Sequence, residues 1–138
     1  KTILDLGLTD KISMLGGISD ADKSVLLHSC DIFIAPSITS QEGYGIVIAE
    51  AMAHGKPVVA TDIPTAMQFL VRGGDCGAKV RAGSAEDLVI AIKTLIDDDE
   101  RRKTIGENNR EFWENNLTID AYSESYKVAV ESIMKIAS

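Results

Sequence analysis

Short runs rich in apolar residues alternate with helical segments, and this alternation constrains the fold more than any other feature of the chain. Three such runs occupy 31–36, 57–61 and 77–81, and "KISMLG" at 11–16 is a further candidate strand. A helix is predicted over 45–54, between the first two runs. Strands that alternate with helices are typical of βαβ units, in which helices cover both faces of a parallel sheet. The sequence therefore predicts an α/β fold with a doubly wound parallel sheet.

The rest of the sequence favours helices. "KTILDLG" reads as the end of a helix stopped by Gly7, and Ser19 with Asp22 forms a capping pattern for the next helix. After residue 83 only helical patterns occur, which predicts a helical C-terminal tail. The periodicity predicts two apolar faces in this tail: Leu88, Ile92, Leu95 and Ile96 in one helix, and Tyr122, Tyr126, Ala129, Val130, Ile133 and Met134 in the last one, where the tyrosines are expected in the core.

Size and charge narrow the class of protein. A chain of 138 residues fits a single domain over 1–138, and a net charge of −7 argues against a nucleic-acid partner. No apolar run approaches the roughly 20 residues that cross a bilayer, and the first residues are not a secretory signal. Two cysteines suggest reduced thiols, so a cytoplasmic location is expected. No metal-ligand spacing is present among His28, His54 and the two cysteines.

A carboxylate in an apolar helix is the first sign of function. Glu50 lies within the apolar run Gly45–His54, where a buried carboxylate without a partner would cost several kcal/mol. Its side chain is expected to lean toward the amino end of the helix. A pair of sugar hydroxyls would suit it, because a carboxylate accepts two hydrogen bonds side by side. Pairing with His54, one helical turn away, is the alternative.

The loop before this helix suggests an anion site. Gly43 and Gly45 flank Tyr44 and would let a ligand approach the backbone N–H groups at the helix start. Glu42 would fold over the same crevice from the loop, and a phosphate seat with two carboxylates suits a nucleotide sugar. The alternatives are a loop that needs glycines only to turn, and a solvated loop acid at Glu42.

The stretch "PSITSQEGYGIVIAEAMAHGKPVVATD" resembles the signature of the retaining group 1 glycosyltransferases of the GT-B fold. Two glutamates separated by seven residues, with Gly-aromatic-Gly between them, carry the resemblance. It implies a Rossmann-like C-terminal domain that binds a nucleotide-diphosphate sugar, and an enzyme that moves the sugar to an acceptor hydroxyl with retention. The donor is a substrate, and no further cofactor and no metal are expected.

The resemblance also implies roles for residues. Glu50 would hold the ribose hydroxyls, with Val47 packed near the ribose, and Glu42 would contact the donor sugar near the reacting carbon as the catalytic residue. Backbone N–H groups at the start of the helix would face the sugar or diphosphate, and the residues after 11–16 would lie against the base. The donor-binding residues implied in addition to Glu50 and Val47 are Gly43, Tyr44, Gly45, Ile46, Gly17 and Ile18.

Departures from the family pattern leave other functions open. Pro64 and Thr65 stand where glycines are common, and Gln68 replaces an acid. The departure at Pro64 and Thr65 favours the alternative of a non-catalytic nucleotide-binding or scaffolding module. A flavodoxin-like signalling domain is a third possibility, which the isolated Asp31 and Asp62 do not favour.

The resemblance further implies that the domain is truncated at its N-terminus. Two strands and an acceptor-binding N-terminal domain would precede it in a parent chain, and the fragment would be inactive alone. Either another chain supplies the missing strands, or the sheet core is 31–81 with residues 1–18 rearranged. Self-association through the incomplete sheet or the last helix is a further expectation.

Overall fold

The computed structural model describes residues 2–40, 43–72 and 75–136. Three parallel strands form one sheet in the order β1-β2-β3, with helices before, between and after them. In chain order the elements are α1 (Thr2–Asp5), α2 (Asp20–Ser29), β1 (Phe33–Ala35), α3 (Ile46–Ala53), β2 (Val58–Asp62), α4 (Met67–Leu70), β3 (Gly77–Arg81), α5 (Ala85–Ile96), α6 (Asp99–Asn116) and α7 (Ile119–Ile136).

The middle strand explains why the sheet is covered on both faces. Val58 and Ala60 pack into a core cluster with residues of α2, α3 and α4, whereas Val59 packs with Val80 of β3 and Leu95 of α5 on the other face. Successive side chains of a strand point to opposite faces, so a continuous apolar run suits a strand buried on both. The predicted doubly wound parallel sheet is confirmed in this part of the chain.

Local signals placed several helix ends correctly. Ser19 caps α2 and Ser84 caps α5, each accepting a hydrogen bond from the backbone N–H of the residue three positions on. Asp87, in the first turn of α5, also forms two hydrogen bonds with the Arg81 guanidinium, at 2.6 and 2.8 Å. These bonds hold the pKa of Asp87 well below its usual range.

The strand predicted at 11–16 is wrong. Ile12 closes a turn onto Leu8, and none of the following residues to Gly16 joins the sheet. A strand requires a neighbour for its backbone groups, and β1 has β2 as its one strand neighbour within the described ranges. Met14 and Leu15 are consequently exposed. Among the described residues the sheet therefore spans Phe33–Arg81. Supply of the missing strands by another chain, and a rearrangement of residues 1–18, both stay predictions.

The predicted apolar faces of the tail need two corrections. In α5, Leu95 is buried and Ile96 is 56% exposed, because the helix contacts the sheet along a narrower stripe than the periodicity implied. In α7, Tyr122 and Tyr126 are exposed rather than in the core, since none of residues 119–136 is buried against another described element. Among the described helices, none is long and apolar enough to cross a membrane.

Candidate functional site

The amino end of α3 follows the loop after β1, at the carboxyl end of the sheet. Gly45 caps the helix in the left-handed conformation, with φ of 76°. A Cβ atom there would lie 2.7 Å from Cγ of Met67, so both the backbone angle and the space require glycine. Among the described residues no side chain caps this end of the helix, and the first N–H groups of an α-helix lack intrahelical acceptors. The helix start therefore offers backbone donors and the positive end of its dipole.

The residues around this end are accessible. Tyr44, Ile46 and Val47 are exposed, and a Cβ atom built on Gly43 would meet nothing within 4 Å. The carbonyl of Gly43 accepts a hydrogen bond from the N–H of Ala66 at 3.1 Å, which ties the loop to the residue before α4. Glu42, the predicted catalytic residue, lies outside the described residues.

Glu50 has a charged partner that the sequence analysis did not identify. Nζ of Lys23 lies 2.7 Å from Oε1 of Glu50 and 3.1 Å from a carboxylate oxygen of Asp20. The hydrogen bond with Glu50, and after it the one with Asp20, raises the pKa of Lys23 above its ordinary value. Lys23 is therefore charged throughout the physiological pH range, and Glu50 faces a permanent cation.

His54 does not pair with the Glu50 carboxylate, so that alternative is wrong. Its Nδ1 lies 2.8 Å from the backbone carbonyl of Glu50, and its Nε2 lies 3.0 Å from Oγ of Ser24. The imidazole thus helps to join α3 to α2. The Glu50 carboxylate contacts Lys23 and not the imidazole.

A cavity of about 340 Å³ opens beside Glu50. Two other hollows, of about 360 and 460 Å³, lie along α6 and contain none of the predicted site residues. The cavity at Glu50 is therefore a better candidate for the ligand-binding site than these two hollows. Its lining residues come mainly from the outer face of α3 and from α6: Tyr44, Ile46, Ala49, Glu50, Ala53, His54, Trp113 and Leu117.

Gly17 and Ile18 are less firmly connected to this site. Both are exposed and directly precede Ser19, the cap of α2. Helix α2 is joined to α3 through Lys23 and Ser24, so the ion pair at Glu50 is one of the links between these two residues and the site. His, Cys, Asp and Glu side chains in the described ranges form no cluster of three or more that could hold a metal ion.

Comparison with known proteins assigns the family. Residues 1–112 match the sequence model described as "Glycosyl transferases group 1". The chain is 40% identical over 97 residues, 70% of its length, to a phosphatidyl-myo-inositol mannosyltransferase from Mycobacterium leprae, of which it covers 25%.

Solved structures agree with this assignment. Sucrose-phosphate synthase from Thermosynechococcus elongatus superposes with a TM-score of 0.83 at 25% identity, over 98% of this chain and 33% of that one. Anabaena HepE in complex with UDP-glucose gives a TM-score of 0.81 at 29% identity, over 94% of this chain and 35% of that one. The chain thus spans about a quarter to a third of the length of these proteins. Both the fold class and the resemblance are confirmed, and the chain belongs to the group 1 glycosyltransferases.

Proposed function

We propose that this domain binds the nucleotide-sugar donor of an enzyme that transfers the sugar to an acceptor hydroxyl with retention of configuration. One observation carries the proposal: a half-buried carboxylate, Glu50, stands in the second turn of α3, a helix whose N-cap Gly45 supplies no side-chain cap, and it borders an open cavity. This arrangement combines donors for a diphosphate with an acceptor for sugar hydroxyls. Relatives support it, since a HepE structure contains UDP-glucose and a curated relative is a mannosyltransferase.

Each predicted residue has a part in this proposal. The backbone N–H groups from Tyr44 to Ile46 bind the diphosphate or sugar, and Gly43 leaves room for that approach. Gly45 does not, because its Cβ position faces Met67, and its part is the left-handed turn that starts α3. Glu50 binds the ribose hydroxyls, and Val47, which is 39% exposed, packs against the ribose. The base lies against Gly17 and Ile18. Glu42 contacts the donor sugar near the reacting carbon.

The proposed chemistry relies on stabilising the departing diphosphate. The bond between the anomeric carbon and the diphosphate oxygen breaks, and the acceptor oxygen forms the new glycosidic bond on the same face. The leaving phosphate takes the acceptor proton. Negative charge grows on the diphosphate as that bond breaks, so the amino end of α3 stabilises the transition state more than the ground state. No metal is assigned a role, and an N-terminal domain of the parent chain is proposed to bind the acceptor.

A non-catalytic binding module is the second candidate. Gln68 donates a hydrogen bond to Asp62 at 2.9 Å, in the segment after β2 where Pro64 and Thr65 depart from the family pattern. A donor site altered in this segment could keep nucleotide affinity and lose transfer. Nucleotide binding without sugar transfer by the intact protein would favour this candidate.

A donor screen on the intact protein tests the proposal. UDP-, GDP- and ADP-sugars are titrated by calorimetry, and the sugar that binds is then assayed for transfer. Hydrogen bonds to charged groups contribute enough that Glu50→Gln should weaken nucleotide binding about tenfold or more. Glu42→Gln should mainly slow turnover. Glu86→Gln, an exposed carboxylate in the first turn of α5, serves as the control and should change neither.

Two results would refute the donor-site assignment. The first is binding of none of the three sugar nucleotides. The second is that Glu50→Gln and Glu42→Gln both keep the donor affinity and the transfer rate of the wild type.

A further inference from the structure

We propose that Lys23 is a positioning residue for the donor site, which fixes the Glu50 carboxylate so that its second oxygen accepts a ribose hydroxyl. The inference rests on the proposed function, because it assumes that Glu50 binds the ribose. The contact joins two helices across 27 residues of sequence, at 2.7 Å between Nζ of Lys23 and Oε1 of Glu50.

The geometry leaves Glu50 free to bind a ligand. A carboxylate has two oxygens and about four acceptor positions, and the ammonium occupies one of them. Oε2 of Glu50 has no hydrogen-bond partner among the described residues. The pair therefore restrains the carboxylate without consuming its capacity to accept hydroxyl hydrogens.

The surroundings favour a persistent ion pair. The side chains of Lys23 and Glu50 are 37% and 31% exposed, so water screens this pair less than it screens the contact with Asp20, whose side chain is 99% exposed. The backbone N–H of Lys23 donates to the carbonyl of the helix cap Ser19 at 2.9 Å, which holds Lys23 in the first turn of α2. The ammonium is thus presented from a fixed backbone position.

Other contacts hold α2 against α3 without Lys23. Oγ of Ser24 lies 3.0 Å from Nε2 of His54, and Nζ of Lys56 donates to the carbonyl of His28 at 2.8 Å. Leu27 of α2 is buried in the core cluster that contains Ile48 of α3. Removal of the Lys23 ammonium should therefore leave the two helices packed, and the effect on Glu50 can be measured separately.

The test compares two ligands that differ only in the ribose hydroxyls. Calorimetry on the intact protein measures affinity for the nucleoside diphosphate selected in the donor screen and for its 2′,3′-dideoxy analogue. Wild type should prefer the ribose form by about tenfold, as expected for hydrogen bonds to a charged group. Lys23→Met should reduce this preference to about twofold or less, and Lys23→Arg, which keeps the charge, should retain most of it.

Two control variants separate positioning from general loosening. Ser24→Ala breaks a neighbouring contact between α2 and α3, and Asp20→Asn removes the exposed partner of Lys23. Both should keep the ribose preference of wild type. Thermal unfolding of each variant shows that it is folded, and Lys23→Gln replaces Lys23→Met if the latter is not.

The outcomes distinguish this inference from the proposed function. If Glu50→Gln loses the ribose preference while Lys23→Met keeps it, the positioning role is overturned and the donor site stands. Equal weakening of both ligands by Lys23→Met, or an increased preference, would also overturn it. If wild type shows no ribose preference, or Glu50→Gln retains it, the role of Glu50 fails and this inference fails with it.

Discussion

Helices α6 and α7 follow each other in the chain and have 18 residues each, yet only the first is buried. Helix α6 is the more polar of the two, and it buries Ile105, Gly106, Asn109 and Phe112. Helix α7 carries a regular apolar stripe and buries none of its residues. Hydrophobicity therefore does not decide which helix enters the core.

The difference lies in how α6 meets the backbone around β2. Gly106 lies so close to Gly55 that a Cβ atom would come within 2.2 Å of the Gly55 carbonyl oxygen. The Asn109 side chain donates to the carbonyls of Lys56 and Cys76, at 2.7 and 2.9 Å. Gly106, which has no side chain, and Asn109, which donates two hydrogen bonds, let α6 pack directly on the backbone that precedes β2 and β3. In α7 the described contacts offer no comparable pair of features.

Gly106→Ala should have the largest effect on this comparison. In an exposed helix the change would stabilise by about 1 kcal/mol, because alanine has the higher helix propensity. Here the new methyl group would overlap the Gly55 carbonyl, so we expect the free energy of unfolding in urea to fall by about 3 kcal/mol. Gly17→Ala is the control, since its Cβ would meet nothing within 4 Å. Stabilisation by Gly106→Ala would show that α6 does not pack as described.

Asn109→Ala should have the next largest effect. Asn109 is fully buried, and its removal leaves the carbonyls of Lys56 and Cys76 without their donor. Buried unsatisfied groups are costly, so we expect a loss of about 2 kcal/mol in the same urea experiment. The neighbouring Asn108 is exposed, and Asn108→Ala should leave stability nearly unchanged. Equal effects of the two substitutions would contradict the assigned role of Asn109.

Signals that act over a few residues were sufficient to predict much of the fold. The runs at 57–61 and 77–81 form β2 and β3 within one residue, and Ser19 and Ser84 cap their helices, because the groups involved are close in sequence. The strand at 11–16 failed for the opposite reason. Its formation depends on a neighbouring strand, which an apolar run cannot specify by itself.

The candidate site shows the same limit. Glu50 could be recognised from the sequence because a carboxylate in an apolar helix is unusual. Lys23 could not be assigned to it, since the two residues are 27 positions apart and only the packing of α2 on α3 joins them. Periodicity likewise predicted the apolar stripe that contains Tyr122 and Tyr126. It could not specify whether another element covers that stripe.

Removal of a helix cap should have a smaller effect on stability, and the effect should differ between α6 and α7. Asp98 caps α6 by accepting from the N–H of Arg101 at 2.9 Å, and Thr118 accepts from the N–H of Ala121 at 3.2 Å at the start of α7. Asp98→Ala should lower the global free energy of unfolding by about 1 kcal/mol. Thr118→Ala should leave it nearly unchanged and only speed amide exchange within α7. Asp98→Asn keeps an acceptor and is the control. A global loss of equal size at Thr118 would place α7 in the cooperative core.

Substitution on the exposed face of α7 should have the smallest effect on stability. Tyr122 and Tyr126 are 69% and 64% exposed, so replacing both with serine should change the free energy of unfolding by about 0.5 kcal/mol or less. Phe112→Ala, at a buried aromatic residue of α6, should cost about 3 kcal/mol in the same experiment. Urea unfolding of both variants is measured at several protein concentrations. A loss in the tyrosine variant that grows with protein concentration would mean that a second copy covers this face, and α7 would then be buried like α6.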